Sequence, residues 1–271
     1  MKKRILTAVV LLPVIIVFLF LLPKVCTAVL AGLIAAVGAY ELLWGTGLAK
    51  NLRLVIYSGL MAIYVVLWAH FQLGYFAALV AVLVFTALLY VEMMISRGKL
   101  PFFQLCLCYV AGMIVPFFLG AIVRILDMDL GRYLIATPFV ACFVPDAGAY
   151  FCGRLFGKHK MSPVISPNKT IEGAIGGVVC AMAGMVIYGL ILDLAFGLQV
   201  SYGLCVVYGL LGAGASILGD LFFSAVKRQT GIKDYGWIFP GHGGVMDRLD
   251  SLTLVSPLME ALLLLIPFAV K

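Results

Sequence analysis

The chain has 271 residues and a net charge of +7, and 64% of its residues are hydrophobic while only 11% are charged. A typical soluble domain is about 45–50% apolar and about 25% charged, so this composition excludes both a soluble globular fold and a disordered chain. The seven cysteines form no C-x-x-C pair and no His/Cys cluster at zinc-ligand spacing, which argues against a disulfide scaffold and a structural zinc site.

Nine apolar runs of about 20 residues follow one another along the chain, and this is the length that a bilayer core about 30 Å thick requires. They predict an all-α polytopic membrane protein with about nine transmembrane helices. The first run is interpreted as a span, because it exceeds the usual signal-peptide core and no A-x-A cleavage site follows it. The predicted spans lie near residues 5–23, 26–45, 53–71, 73–95, 102–124, 132–151, 173–196, 201–222 and 250–270.

The basic residues are distributed unevenly between the two sides of the membrane. If the N-terminus is cytoplasmic, 15 of the 19 Lys and Arg residues lie on the cytoplasmic side. This asymmetry predicts a cytoplasmic N-terminus and, for an odd number of spans, a C-terminus outside. It also accounts for the positive charge, so no nucleic-acid partner is expected. The compact length favours a bacterial inner or plasma membrane.

Two polar loops, residues 152–172 and 223–249, interrupt the apolar pattern on the predicted cytoplasmic side. Together they hold 8 of the 19 basic residues and two of the three histidines, so any chemistry is expected there. We interpret residues 1–271 as one membrane-embedded domain. Residues 1–130 are predicted to supply mainly scaffold spans, and residues 131–271 are predicted to form the catalytic half.

The helix that leads into the second polar loop is predicted to have three polar residues on one face. Asp220, Ser224 and Lys227 stand at i, i+4 and i+7, so they share a face if the preceding helix continues to Arg228. A carboxylate at membrane depth costs several kcal/mol unless it is paired or bound to a metal, which makes Asp220 a functional candidate. The alternative is a helix-end aspartate paired with a lysine of its own loop.

A glycine-rich stretch and two further carboxylates follow in the same loop. In residues 240–244, Pro-Gly-His-Gly-Gly, the backbone can approach phosphate oxygens closely. Asp247 and Asp250 then stand at i and i+3, where they suit Mg²⁺, which usually takes only one or two protein carboxylates. The structural alternative makes Asp250 a helix cap and pairs Asp247 with Arg248.

The first polar loop combines a helix start with an anion-binding composition. Thr170 or Asn168 can cap the following helix, with Glu172 in its first turn. The run from Ser166 to Thr170 also brings together a hydroxyl, an amide, an ammonium group and helix-terminal N–H groups. This predicts an anion site, although the Walker A pattern is absent.

Two further carboxylates lie in apolar surroundings. No polar residue accompanies Glu41 or Glu260 in the sequence. For both, we favour interhelical hydrogen bonding or a neutral form over catalysis.

The segment from Ser224 to Asp250 resembles the signature of the phosphatidate cytidylyltransferases, or CDP-diacylglycerol synthases. The signature is matched at Ser224, Lys227, Arg228, Lys233, Asp234, Pro240, His242, Gly243, Gly244, Asp247, Arg248 and Asp250. The first loop resembles the family's other motif at Asp146, Gly148, Tyr150, Gly153, Arg154, Gly157, Ser162, Pro163, Ser166, Pro167, Lys169, Thr170, Glu172 and Gly173.

The resemblance implies that CTP and phosphatidic acid react, with Mg²⁺, to give CDP-diacylglycerol and pyrophosphate. It also suggests a homodimer, and it leaves room for a second metal or a monovalent cation. We hypothesise that Asp220 and Asp247 hold the metal, with Asp250 and Asp146 as secondary ligands or orienting groups. The expected catalytic residues are Asp220, Lys227, Arg228, His242, Asp247 and Asp250. The expected substrate-binding residues are Asp146, Arg154, Ser166, Asn168, Lys169, Thr170, Glu172, Ser224, Lys233, Asp234, Gly243, Gly244 and Arg248.

Two other functions are weighed against this one. A CTP-dependent lipid kinase of the polyprenol or phytol type would move the γ-phosphate of CTP to an alcohol. A transporter would also carry intramembrane carboxylates, but it should show paired broken helices in two halves. Here the polar features crowd into the second half of the chain.

Overall fold

The structure is a computed structural model that describes residues 13, 15–239 and 243–271. Most of the first predicted span, residues 5–23, lies outside the described residues. Its described end forms a short π-helical turn, Val17–Leu21.

Seven helices in the described part of the chain are long and apolar enough to cross a membrane. They are α1 (Lys24–Gly45), α2 (Leu52–His70), α3 (Tyr75–Ile95), α4 (Phe102–Asp127), α5 (Gly131–Phe156), α6 (Ile171–Phe196) and α7 (Tyr202–Gln229). They correspond to the seven predicted spans between residues 26 and 222, which confirms the class of all-α, multi-pass membrane protein. The total of nine spans and the side of each terminus stay predictions.

The last predicted span, residues 250–270, contains a shorter apolar helix. A single turn, α8 (Met246–Leu249), precedes α9 (Leu252–Leu265). The end of the predicted span is extended instead, because Ala269–Val270 pairs as a strand.

Several of the long helices are interrupted by π-helical or irregular turns. The α-helix Lys24–Tyr40 of α1 continues into the π-helical turn Glu41–Gly45. The helix α4 consists of Phe102–Tyr109, the π-helical turn Val110–Ile114, Val115–Leu119 and Ala121–Asp127. The helix α5 consists of Gly131–Leu134 and Thr137–Phe156. π-Helical turns are rare and often lie at functional sites, so the one that begins at Glu41 is notable.

Two small antiparallel sheets were not predicted, since strands this short leave no periodic pattern. In the first polar loop, β1 (Lys160–Ser162) pairs with β2 (Ser166–Thr170). Near the chain's end, β3 (Gln199–Val200) pairs with β4 (Ala269–Val270). The first polar loop is therefore a hairpin.

The chain groups into two compact units. The first unit comprises Met1–Asp127 and Gln229–Leu249, and the second comprises Met128–Arg228 and Asp250–Lys271. The boundary after Asp127 lies close to residue 130, where the predicted scaffold half ends. The division into a scaffold half and a catalytic half stays a prediction.

Within the first unit, α1 packs along α2, and α2 packs against α3 and the π-helical turn of α4. Leu43, Leu54 and Leu89 are fully buried in its core.

Within the second unit, α5 and α6 approach each other closely through small residues. Gly148 of α5 faces Cys180, and Gly176 of α6 faces Cys152. Small residues let membrane helices approach until their backbones touch, which replaces the hydrophobic driving force that is absent between helices in lipid. The first polar loop connects the two helices of this closely packed pair.

Candidate active site

A pocket of about 260 Å³ lies in the second unit, between the ends of α5, α6 and α7 and the hairpin. Polar residues that the sequence predicts for the site stand among its lining residues: Asp146, Asn168, Lys169, Thr170 and Asp220. The structure thus brings residues of the first predicted motif together with Asp220, which precedes the second motif on α7.

Asp220 is the central acidic residue of this pocket. Its Oδ2 forms an ion pair with Nζ of Lys169, and its Oδ1 accepts a hydrogen bond of 3.0 Å from Ser224 Oγ. The helix α7 does continue past Arg228, so the predicted shared face of Asp220, Ser224 and Lys227 is confirmed. The lysine that pairs with Asp220 comes from the first polar loop, not from its own loop as the alternative required.

Two more carboxylates of the second unit belong to this electrostatic environment. Ser216 Oγ donates to Asp146 Oδ1 at 3.5 Å, and Asp250 Oδ1 accepts the N–H of Ser251 at 2.8 Å. Asp250 lies ahead of α9 and outside the seven long helices. The carboxylate of Asp250 is repelled by those of Asp220 and Asp146 and attracted by the ammonium group of Lys227. Asp146 and Asp220 line the pocket together with Lys169, and carboxylates beside an ammonium group suit a cation together with phosphate groups.

The first polar loop is fixed at the start of α6. Thr170 is the N-cap of α6, where its Oγ1 accepts the N–H of Gly173 at 3.1 Å, and this confirms the predicted cap. Glu172 in the first turn accepts the N–H groups of Lys158 and His159, at 3.1 and 3.2 Å. Because both acceptors stand at the helix start, the cap and the loop are held by the same turn.

Two predicted substrate-binding or catalytic arginines have protein partners in the second unit. Arg228 Nε donates to the carbonyl oxygen of Ile165 at 3.2 Å, which ties α7 to the hairpin. Arg154 is exposed and its guanidinium donates to the hydroxyl of Tyr150 at 3.2 Å. Ser166 is half-buried and stands in β2 opposite Ser162.

In the first unit, the second polar loop is built around Asp247. Its Oδ2 accepts the N–H groups of Tyr235 and Gly244, at 2.7 and 2.9 Å, and its side chain is buried. One carboxylate oxygen therefore links Tyr235 to Gly244 within the loop. The N–H of Gly244, which was predicted to approach phosphate, is bonded to Asp247.

The remaining predicted residues of this loop are placed as follows. His242 lies outside the described residues, as do Pro240 and Gly241. Lys233, Asp234 and Arg248 are exposed. Gly243 has a φ of +86°, a conformation that favours glycine, and its carbonyl oxygen accepts the N–H of Phe239 at 3.0 Å.

Glu41 lies in this region although sequence reasoning placed it outside the site. Its two carboxylate oxygens accept the N–H groups of Val245 and Met246, at 2.9 and 2.8 Å. The only signal in the sequence was a carboxylate at membrane depth. The prediction of a hydrogen-bonded carboxylate holds, but the predicted interhelical partner is not what the structure shows, because the donors are backbone N–H groups at the end of the second polar loop.

In the described part of the chain, no group of three or more His, Cys, Asp or Glu side chains is arranged to hold a metal ion. The predicted ligands are Asp220 of the second unit and Asp247 of the first. Carboxylates are the donors that Mg²⁺ prefers, and this ion commonly takes one or two of them and completes its shell with water and phosphate oxygens. Each of these carboxylates is by its chemistry a suitable ligand for a hard divalent cation, and their sharing of one ion stays a prediction.

The helices and the carboxylate–lysine pocket define a polytopic membrane protein with a site suited to phosphate chemistry. A model of the cytidylyltransferase family matches residues 2–266, so the chain belongs to that family.

Bacterial relatives share about half of their length with this chain. A protein named phosphatidate cytidylyltransferase from Staphylococcus saprophyticus is 42% identical over 134 residues, which cover 49% of this chain and 50% of that protein. Proteins of the same name from Staphylococcus haemolyticus and Staphylococcus epidermidis are 36% and 44% identical, over 63% and 49% of each chain.

Proposed function

We propose that this protein transfers the cytidylyl group of CTP to phosphatidic acid and so makes CDP-diacylglycerol and pyrophosphate. The observation that carries the proposal is the ion pair of Asp220 and Lys169 inside a pocket of the second unit. It combines a carboxylate for a cation with an ammonium group for a phosphate. The family membership and the names of the staphylococcal relatives support the same reaction.

The chemistry asks little of the protein beyond positioning and charge neutralisation. An oxygen of the lipid phosphate attacks the α-phosphorus of CTP, a new P–O bond forms, and the bond to the β-phosphate breaks to release pyrophosphate. A phosphate monoester has a second pKa of about 6, so the attacking group is already ionised near pH 7 and needs no strong general base. We assign Lys169, Lys227, Arg228 and Lys233 to neutralising the phosphates, and His242 to donating a hydrogen bond to one of them.

We propose Mg²⁺ as the cofactor, with Asp220 and Asp247 as ligands and Asp146 and Asp250 as secondary or orienting groups. When bound, the ion would withdraw charge from the reacting phosphates. The carboxylates would hold the cation. Asp220 also fixes the position of the Lys169 ammonium group through their ion pair.

The meeting place of the substrates follows from their solubility. Phosphatidic acid stays in the bilayer with its phosphate at the interface, while CTP arrives from water. We therefore propose an active site that faces the cytoplasm, at the inner or plasma membrane of a bacterium. A homodimer is the proposed assembly.

The test is an assay of the purified protein in detergent with phosphatidic acid, Mg²⁺ and CTP that is labelled in either the α- or the γ-phosphate. The expected result is α-label in the lipid and γ-label in pyrophosphate. Transfer of the γ-label to a lipid alcohol would assign the protein to the lipid kinases. No transfer of either label would contradict both enzymes and favour a transporter.

A further inference from the structure

Near its end, one face of α1 consists of two glycines and a single larger side chain, the carboxylate of Glu41. Gly38, Glu41 and Gly45 are spaced by three and four residues, so they lie on the same side of the helix. A side chain on Gly45 would collide with the carbonyl oxygen of Tyr235, and one on Gly38 would meet the Met246 side chain. The face is therefore shaped to let the second polar loop lie directly against the helix.

Glu41 fills the space between this face and the loop. It is 1% exposed, and its carboxylate accepts the adjacent N–H groups of Val245 and Met246. Gly236 and Gly244 lie so close to that carboxylate that neither position has room for a β-carbon. Four backbone positions on both sides of the loop tip are thus packed or bonded against one side chain.

The carboxylate of Asp247, which lies in the loop itself, bonds to the same stretch of backbone. Asp247 binds the N–H groups of Tyr235 and Gly244, and each of these residues adjoins a position that Glu41 contacts. Because Met246 immediately precedes Asp247, the bond from Met246 to Glu41 also limits where Asp247 can stand. Movement of Glu41 would therefore displace Asp247.

We propose that Glu41 is a positioning residue, which fixes the described loop segments 235–239 and 243–246 and thereby the carboxylate of Asp247. The inference rests on the proposed cytidylyl transfer and names a residue of that reaction outside both polar motifs. Glu41 touches no reacting atom in this role. The π-helical turn that begins at Glu41 is in keeping with a functional rather than a generic helix end.

A second buried glutamate of the same unit supplies a matched control. Glu92 is 6% exposed, and its carboxylate accepts a hydrogen bond of 2.9 Å from Asn51 Nδ2 and pairs with Arg53. Glu92 binds the side chains of Asn51 and Arg53 at the start of α2, whereas Glu41 binds backbone amides of the loop. The same substitution at both positions removes one carboxylate charge from the same unit.

The kinetic experiment compares Glu41→Gln with Glu92→Gln in the assay with CTP, phosphatidic acid and Mg²⁺. A glutamine amide would point an N–H group at one of the two N–H donors, so that donor loses its acceptor and the loop shifts. A misplacement of about 1 Å can cost on the order of 100-fold in rate, so we expect kcat to fall on that scale for Glu41→Gln. In Glu41→Gln, the KM for CTP and the KM for phosphatidic acid should each change by no more than a few-fold. Glu92→Gln should keep kcat within a few-fold of the wild type.

Amide hydrogen exchange gives a readout that does not depend on turnover. Glu41→Gln should speed exchange of the peptide that contains Val245 and Met246, while Glu92→Gln should leave that peptide unchanged. Normal exchange there in Glu41→Gln would overturn the inference. If Glu41→Gln and Glu92→Gln lost kcat and melting temperature to the same extent, the role of Glu41 would be purely structural, and the inference would also be overturned.

The two proposals can fail separately. If the wild type transfers no cytidylyl group, the proposed function fails, while exchange still decides whether Glu41 fixes the loop. If the wild type is active and Glu41→Gln has normal kcat, only the inference about Glu41 is overturned.

Discussion

The two polar loops are held in opposite ways. In the second unit, the first loop is a hairpin whose strands bond to each other, and the carboxylate that completes it, Glu172, contacts the largely exposed His159. In the first unit, the described part of the second loop has one isolated bridge, between Phe239 and Gly243. The amides of four of its residues bond instead to the buried carboxylates of Glu41 and Asp247: Tyr235, Gly244, Val245 and Met246.

This difference has a physical reason. A buried amide that lacks an acceptor costs about 1–3 kcal/mol, so a loop without strand pairing needs side-chain acceptors. Buried carboxylates meet that need and become hard to replace. An exposed carboxylate competes with water and contributes less. Substitutions in the second loop should therefore disturb structure and activity together, whereas those in the first should separate them.

Asp220→Asn should have the largest effect, because it removes the charge that holds Lys169 in the pocket and a proposed metal ligand. We expect turnover of CTP and phosphatidic acid to fall by at least about 100-fold. The melting temperature should change little, since Asp220 is partly exposed. The assay is run beside Asp193→Asn, a carboxylate near the other end of α6 that accepts from Tyr202 at 2.7 Å and should be silent.

A silent Asp220→Asn would contradict the pocket of the second unit as the reaction site. Full activity recovered at high Mg²⁺ would instead locate the defect in affinity for the cation.

Asp247→Asn should show the coupling that the comparison predicts for the second loop. We expect turnover to fall about 100-fold and the free energy of unfolding to fall by about 1–3 kcal/mol, because the amides of Tyr235 and Gly244 lose a charged acceptor. Thermal denaturation and activity are measured on the same preparation, with Asp129→Asn, an exposed carboxylate before α5, as the control.

Loss of turnover at unchanged melting temperature and unchanged exchange of residues 243–249 would make Asp247 a metal ligand with no part in holding the loop. That outcome would break the comparison between the two loops.

The sequence predicts the parts of this design that are local. Apolar runs of about 20 residues predict the seven long helices, and helical spacing predicts the contact of Ser224 with Asp220. The cap at Thr170 is a pattern of four adjacent residues. Each of these depends on neighbours along the chain.

The contacts that complete the site are not local. Glu41 and Val245 are separated by 204 positions, so no periodicity links them. The pair of Lys169 and Asp220 joins the first polar loop to the helix α7, two segments about 50 positions apart in the sequence. The sequence showed that Glu41 is a carboxylate at membrane depth, which costs free energy. It did not show which groups bond to that carboxylate and offset the cost.

Thr170→Ala should have a moderate effect on stability and a small one on activity. It removes the acceptor for the N–H of Gly173, and loss of such a cap costs about 1 kcal/mol. Because the hairpin keeps its own strand bonds, turnover should stay within about tenfold of the wild type, a loss of no more than about 1.4 kcal/mol. Thr170→Ser keeps the oxygen and should restore the melting temperature, and a serine variant as unstable as the alanine variant would contradict the capping role.

Glu172→Gln should have the smallest effect of the four. Its carboxylate is partly exposed and its histidine partner is 75% exposed, so water can replace the lost contact. The amide side chain still offers one oxygen to the N–H groups of Lys158 and His159. We expect melting temperature and turnover close to those of the wild type. A loss of turnover as large as that of Asp247→Asn would mean that a partly exposed carboxylate fixes its loop as firmly as a buried one. Burial would then not explain the contrast between the two loops.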